Sequence, residues 1–510
     1  MRRRSQNQIT IQTTDENVGH SQTYIFAKGQ DNANKTICVD FGMKPRVPTE
    51  TLEHNQMINA SVPTEAQNIK ALVLTHCHTD HIGLLPSLVS LGFRGPVYCS
   101  FGTANIIGPI LRDCCKMMQM EKMDLYTADD VELALSLIKP IPFDVTQVLY
   151  DDNELSIKLT LLGNNHIPGA AAALLQYDRT NAEQVNVLFT GDIKIKSEIF
   201  NAPEFPQWVL DLPVTIVTES TYGNTFEKPE SGKFEEAVSQ IYNRGGNVVI
   251  ATIANERPEV LIHHLLLMKK NRQIPSDTII YVRGRLMQQL YNIYKNRRDT
   301  FYIPKDYSFE SKDVVFLDAG QDPPENHHII LVTPGMVQGG ESKRLALLEA
   351  HNPNSGLVIT SYVPPKGIAD VFLNTPKGEV ISLKDGTSVK KQFDVIQCRE
   401  FSGHAIAPEI LNYILRFKNR KGVIINHGDP EVQNDFKLYI ENNGVEVPVH
   451  VATREICFKL NHHGIYKILN SKMDYRTKET FKTLDPRKNG RRKNPSSQNG
   501  RLVKRNYHKH

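Results

Sequence analysis

Short apolar runs rich in β-branched residues punctuate the chain at 36–39, 71–74, 186–189, 214–217, 247–251, 278–282, 357–360 and 422–425. Runs of this length bounded by polar residues or glycine read as buried strands. Between several of them the segments 234–242, 259–269 and 285–295 have helix-like patterning, so strands and helices alternate as in layered α/β folds. The polar residues fall into a second pattern: Asp40, His76, Asp192, Glu219 and His427 each sit at or just past the carboxyl end of one of the runs. Open α/β sheets collect their chemistry on that rim, so these five side chains are expected to meet there. No internal repeat is evident.

Composition narrows the class without naming it. The chain has 510 residues, 40% hydrophobic and 23% charged, which suits a soluble globular protein of two or three domains. No apolar window approaches the roughly 20 residues that span a bilayer, and the polar start has no signal-peptide core, so a cytoplasmic location with no membrane partner is expected. Seven scattered cysteines, with no C-x-x-C pair, read as free thiols. The net charge of +4 is unevenly spread, with about fourteen Lys or Arg against about three acids from residue 461 onward. The stretch 486–495 lacks an apolar period, so a disordered basic tail over 461–510 is expected, either a phosphate-binding arm or a solubilising one.

The strongest chemical signal is Thr75-His76-Cys77-His78-Thr79-Asp80-His81, directly after the run at 71–74. Three imidazoles and a carboxylate on one loop at a strand end suit zinc or a similar divalent ion. Two ions fit this many donors better than one. Cys77 alternates with His76 and His78 and points away from them in an extended loop, so it is read as a non-ligand. Further donors come from Gly163-Asn164-Asn165-His166-Ile167-Pro168-Gly169, from the strand end Thr190-Gly191-Asp192, and from Asn426-His427-Gly428. Asp192 is the candidate to bridge two cations.

The order Asp40, His76-x-His78-x-Asp80-His81, His166, Asp192 resembles motifs one to four of the metallo-β-lactamase fold. Glu219-Ser220-Thr221-Tyr222-Gly223, Phe401-Ser402-Gly403-His404-Ala405 and Asn426-His427-Gly428 resemble the three additional motifs of the β-CASP nucleases. The likeness runs from about Thr23 to Cys457. It is closer to the cleavage and polyadenylation endonuclease subunit and its bacterial and archaeal relatives, through the loop Thr333-Pro334-Gly335-Met336, than to RNase J.

The resemblance implies an αββα metallo-β-lactamase sandwich over 1–220 and 396–460, an inserted α/β β-CASP cap over 221–395, and the tail from 461. It implies that one ion takes His76, His78, His166 and Asp192, and that the other takes Asp80, His81, Asp192 and His427. Asp40 would orient ligating histidines without touching metal. The implied catalytic set is His404 as general acid, Glu219 as its orienting carboxylate, and Asp80. The implied cofactor is a pair of zinc ions, with manganese as the alternative. The implied substrate is single-stranded RNA, cut internally, from the 5′ end, or both, and His427 favours RNA because the Artemis-type DNA enzymes carry an aliphatic residue there.

Two departures stand out, Asn164-Asn165 before His166 and Asn255-Glu256-Arg257 where relatives have a shorter turn. Arg257, Arg283, Arg285 and Tyr362 are candidates to line the cleft under the cap. A DNA nuclease of the same family is the runner-up, and a small-molecule metallo-hydrolase stands behind it. A binding protein that has lost catalysis is disfavoured because no ligand is missing. The oligomeric state is open, a homodimer among the options.

Overall fold

Two β-sheets face each other across a core built by the apolar runs. The structure is a computed structural model that describes residues 7–476 apart from 15–17, 46–49, 61, 64–65, 306, 310, 319–320, 325–326 and 472–474. The first sheet has eight strands, ordered Gly464–Asn470, Ile456–Asn461, Ile9–Thr13, Thr23–Lys28, Asn34–Val39, Ile69–Val73, Val97–Ser100 and Ile138–Ile141. The second has seven, ordered Val449–Val451, Arg420–Ile425, Val214–Thr218, Val185–Phe189, Ala171–Arg179, Leu155–Gly163 and Thr146–Asp151.

Side chains alternate across each strand, and that alternation sorts them into layers. Ile11, Ile25, Ile37 and Val73 from one sheet meet Leu159, Ala173, Leu175 and Val187 from the other, all buried. The intervening Cys38 and Leu72 turn outward beneath the helices Leu85–Ser90 and Phe101–Met120. On the far side Leu174, Ile216 and Val423 pack under the helices Ala407–Leu415 and Pro430–Asn442. The layering is helix, sheet, sheet, helix: the αββα sandwich expected.

A third sheet lies between Glu219 and Phe401 in sequence, with six strands ordered Val314–Phe316, Ile280–Arg283, Ile329–Val332, Val248–Ala251, Gly356–Ile359 and Asp394–Gln397. Every neighbouring pair in it is parallel. Parallel strands need helical crossovers. The helices Lys233–Asn243, Arg257–Lys270 and Arg285–Asn296 cover one face, and Gly340–Glu349 and Ile368–Asn374 the other. Phe200 of the sandwich sits 5.6 Å from Tyr294 of this insert, ring centre to ring centre, inside one apolar cluster common to both. The insert is therefore packed onto the sandwich and not merely tethered to it.

All eight apolar runs are strands and all three helix-like segments are helices, with ends displaced by up to two residues. One expectation is corrected. Residues 464–470 do not begin a flexible tail: Gly464–Asn470 pairs antiparallel with Ile456–Asn461 as the edge of the first sheet. Gly464, at φ 106°, closes the turn between them, and buried Phe458 and Leu460 anchor the inner strand. The basic stretch 486–495 lies outside the described residues. Among the described residues no helix is long and apolar enough to cross a membrane.

Candidate metal centre

The rim where strands of the two sheets end gathers the seven expected ligands. Asn34–Val39 and Ile69–Val73 are parallel neighbours, so Asp40 and the His76 loop leave the first sheet side by side. Val185–Phe189, Val214–Thr218 and Arg420–Ile425 are also parallel neighbours, and they deliver Asp192, Glu219 and His427 in the same way. His166 comes from the turn between two antiparallel strands of that sheet. In this turn Gly169 has φ 85°, and a Cβ there would stand 2.4 Å from the backbone nitrogen of Thr103, so only glycine brings the His166 turn against the helix Phe101–Met120.

Two groups of donors result. In the first, His76 Nε2 lies 3.2 Å from His78 Nδ1, which lies 3.0 Å from His166 Nε2, and both Nε2 atoms lie 3.5 Å from Asp192 Oδ2. Tetrahedral zinc with bonds of about 2.0–2.1 Å separates its ligand atoms by roughly 3.3–3.4 Å. In the second group His81 Nε2 lies 3.4 Å from Asp192 Oδ2, His427 Nδ1 lies 3.3 Å from Asp192 Oδ1, and His427 Nε2 lies 3.4 Å from Asp80 Oδ2. Within these contacts His81 Nε2, Asp192 Oδ1 and His427 Nε2 are buried and make no hydrogen bond. Buried polar atoms without partners are costly. Nitrogen and carboxylate donors gathered this closely, several of them buried and unpartnered, suit divalent cations, so the residues fit zinc.

Hydrogen bonds on the outer side of His76, His81 and His166 fix which nitrogen each of these imidazoles presents. Asp40, held at φ 58°, accepts from the Thr75 backbone N–H (2.7 Å), the Thr75 hydroxyl (2.7 Å) and His81 Nδ1 (2.8 Å). Because the Thr75 proton goes to Asp40, Thr75 Oγ1 accepts from His76 Nδ1 at 3.1 Å. His166 Nδ1 donates to the Gly403 carbonyl at 2.6 Å. One carboxylate and one main-chain carbonyl thus turn the Nε2 lone pairs of His76, His81 and His166 inward, the arrangement that orients ligating histidines. Burial pushes the His76, His78 and His166 imidazoles below their ordinary range, which keeps them neutral as metal ligands must be.

Beside the ligands stands a different pair. His404 Nδ1 lies 2.9 and 3.1 Å from the two oxygens of buried Glu219, and its Nε2 points toward Asp192, 3.9 Å from Oδ2. Glu219 also accepts from the Ile193 backbone N–H at 2.5 Å. Burial pulls the His404 imidazole down, but the Glu219 and Asp192 carboxylates outweigh it and hold its proton more tightly than water would. This is the environment of a proton donor near neutral pH.

Cys77 turns away from the ligands, its thiol reaching the Thr103 carbonyl at 3.4 Å. The departure Asn164-Asn165 has a local task. Asn164 donates to the carbonyls of Thr190 and Asp192 and accepts from the His166 N–H, while Asn165 bonds Ile195 and Ala202, so the pair ties the Asp192 segment to the His166 turn. Thr75, Asn164 and the Gly403 carbonyl were not singled out as functional. Thr75 opens the His-rich run and Gly403 precedes His404, which is the only signal the sequence gives for them.

Two cleft candidates are corrected. Arg257 is buried and donates to the Thr360 carbonyl at 2.5 Å, and Arg283 is buried and pairs with Asp322 and Glu341 at 3.1 Å. Burial takes the Arg257 guanidinium out of the cleft, and acids of the insert itself take up that of Arg283 at its strand end. Arg285 is exposed, and so is Tyr362, at 59%.

A hydrolase rim of this kind, on an αββα sandwich with an inserted α/β cap, defines a metallo-hydrolase. Residues 17–225 match the metallo-β-lactamase superfamily, residues 259–370 the β-CASP domain, and residues 388–452 the zinc-dependent metallo-hydrolase RNA specificity domain. The chain belongs to the metallo-β-lactamase superfamily in its β-CASP form. It is similar to the transcription termination factor FttA of Methanocaldococcus jannaschii, 25% identical over 82% of this chain and 66% of that one. It is also similar to ribonuclease TTHA0252 of Thermus thermophilus, 25% identical over 72% of this chain and 83% of that one. A third relative, the Integrator complex subunit 11 homolog of Dictyostelium discoideum, is 25% identical over 71% of this chain and 50% of that one. The matched span thus covers just under two thirds of the first relative and half of the third.

Proposed function

We propose that this protein is a two-zinc ribonuclease that hydrolyses phosphodiester bonds in single-stranded RNA, as an endonuclease, a 5′-to-3′ exonuclease or both. His76, His78, His166 and Asp192 would hold one ion, Asp80, His81, Asp192 and His427 the other, with Asp192 between them. The observation that carries the reading is the placement of the Glu219–His404 pair beside seven converging ligand candidates, with His404 Nε2 3.9 Å from Asp192. A binding protein or an inert sandwich has no use for a second, proton-holding dyad at that position. RNA is favoured because both His404 and His427 fall in the matched RNA specificity domain, and because two relatives are named as a ribonuclease and a probable RNase.

When bound, such ions lower the pKa of a water toward about 7 and stabilise charge on phosphoryl oxygens. The protein's own part is orientation and proton transfer. Asp40 and the Gly403 carbonyl hold the ligating imidazoles before any ion arrives. Glu219 fixes His404 through Nδ1 and leaves the Nε2 proton for the departing sugar oxygen. Asp80 Oδ2 stands 3.4 Å from His427 Nε2, so the two would share an ion. The cap roofs the rim: Glu256, beyond the carboxyl end of one of its strands, reaches Lys194 of the sandwich at 3.3 Å, and the strand Asp394–Gln397 runs on directly to His404.

Labelled RNA and DNA strands of identical sequence, each with a 5′ phosphate or a 5′ hydroxyl, test this. RNA should be cut and DNA spared, chelator should abolish cutting, and the 5′-end dependence distinguishes the two modes. Cleavage of DNA at the RNA rate would replace this reading with the DNA-nuclease one.

A further inference from the structure

A histidine outside every motif is gripped at both ends. His264, on the helix Arg257–Lys270 of the cap, has Nδ1 2.5 Å from Glu235 Oε1 and Nε2 2.5 Å from Glu198 Oε2. Glu235 lies on the cap helix Lys233–Asn243, but Glu198 belongs to the sandwich, six residues beyond Asp192. We propose that His264 is a positioning residue, a cationic clasp that binds the cap to the segment following Asp192 and through it sets Glu219 and His404.

The segment 192–198 touches both ends of this link. At its start Asp192 is the central ligand candidate, and the Ile193 N–H donates to Glu219 while its carbonyl accepts from the Ala405 N–H at 2.6 Å, next to His404. Lys194 adds a second tie to the cap through Glu256, at the head of the helix that carries His264. At its end Glu198 enters the clasp. A shift of the cap is thereby passed to the carboxylate that orients the proton donor.

Both contacts can be hydrogen bonds only if both ring nitrogens carry protons, so the imidazole is cationic between two anionic carboxylates. The rings of Phe401 and Phe234, centred 5.0 and 6.4 Å away, cover part of the imidazole, while Glu198 stays open to solvent. The other ionisable neighbours are His263 on the same helix, pushed down by burial and by the charge on His264, and Lys194 and Glu400. Burial opposes the His264 charge, yet the two carboxylates raise its pKa from 6.5 to about 9. Despite their own burial, the Glu198 and Glu235 carboxyls are held below their ordinary range by His264. A raised imidazole pKa means the clasp is intact below about 9 and is lost as pH rises through that value.

The clasp rests on the ribonuclease reading only for its catalytic consequence, so its primary test uses no RNA. In the full-length zinc-loaded protein, amide hydrogen exchange over 193–199, corrected for intrinsic rate, should step upward near pH 9. In His264→Phe the same amides should exchange about tenfold faster at pH 7 with no step, while those of the strand Leu155–Gly163 stay protected. His264→Gln, which can donate to one carboxylate at a time, should fall between and also lack the step. On RNA, both variants should lose kcat more than they raise KM and keep bound zinc. Wild-type exchange and an unchanged pH step in both variants would overturn the clasp. If the exchange results hold and no RNA is cut by the wild type, the clasp stands and the ribonuclease reading falls.

Discussion

At the scale of single residues, the proposed function divides the rim into side chains that would hold metal and one that would move a proton, and the two kinds should fail differently when removed. His404→Ala deletes no ligand candidate, so zinc content by elemental analysis should be unchanged while turnover falls about 10²–10⁴-fold, the worth of a positioned acid. His76→Ala or Asp192→Ala should lower zinc and activity together. Asp40→Asn keeps the shape but cannot accept from Thr75 N–H, Thr75 hydroxyl and His81 at once. Zinc affinity, measured by competition with a chromogenic chelator, should drop by about 10- to 100-fold, as for other residues that orient ligating histidines. His20 gives a prediction about stability. Burial, reinforced by Arg454 and Lys44, lowers its pKa from 6.5 to about 3, so the unfolded chain takes up a proton that the folded one refuses as pH falls between those values. His20 has φ 68°, which asparagine tolerates, so His20→Asn should show a flatter loss of Tm from pH 6.5 to 4 than the wild type.

Elements decide how much of this could be read beforehand. The apolar runs gave the strands, and strand ends gave Asp40, His76, Asp192, Glu219 and His427, because a short buried strand leaves its polar residues only at its ends. What pattern alone could not give was pairing. Nothing in 9–13 announces that it would lie beside Ile456–Asn461, at the other end of the sequence, and the mixed polar and apolar residues of 464–470 hide an edge strand even though its partner is adjacent. Arg257 and Arg283 were misread because their partners Thr360, Asp322 and Glu341 are distant in sequence. The His166 turn shows how an element can control a ligand. Gly169→Ala would put a methyl 2.4 Å from the Thr103 nitrogen at a φ of 85°. The substitution should lower Tm by several degrees and reduce zinc content, since the turn must move to relieve the clash.

Over the whole molecule, the ligand candidates lie on both sides of the cap in sequence. His76, His78, Asp80, His81, His166 and Asp192 precede it; His427 and the Gly403 carbonyl that orients His166 follow it. A polypeptide still on the ribosome, with only the sandwich's first part and the cap outside the exit tunnel, holds most of the donors but neither the closing ligand nor the carbonyl that sets His166. The complete donor set therefore exists only once synthesis has passed residue 427, and zinc uptake at full affinity is expected of a chain that reaches past that point and not of one that stops within the cap.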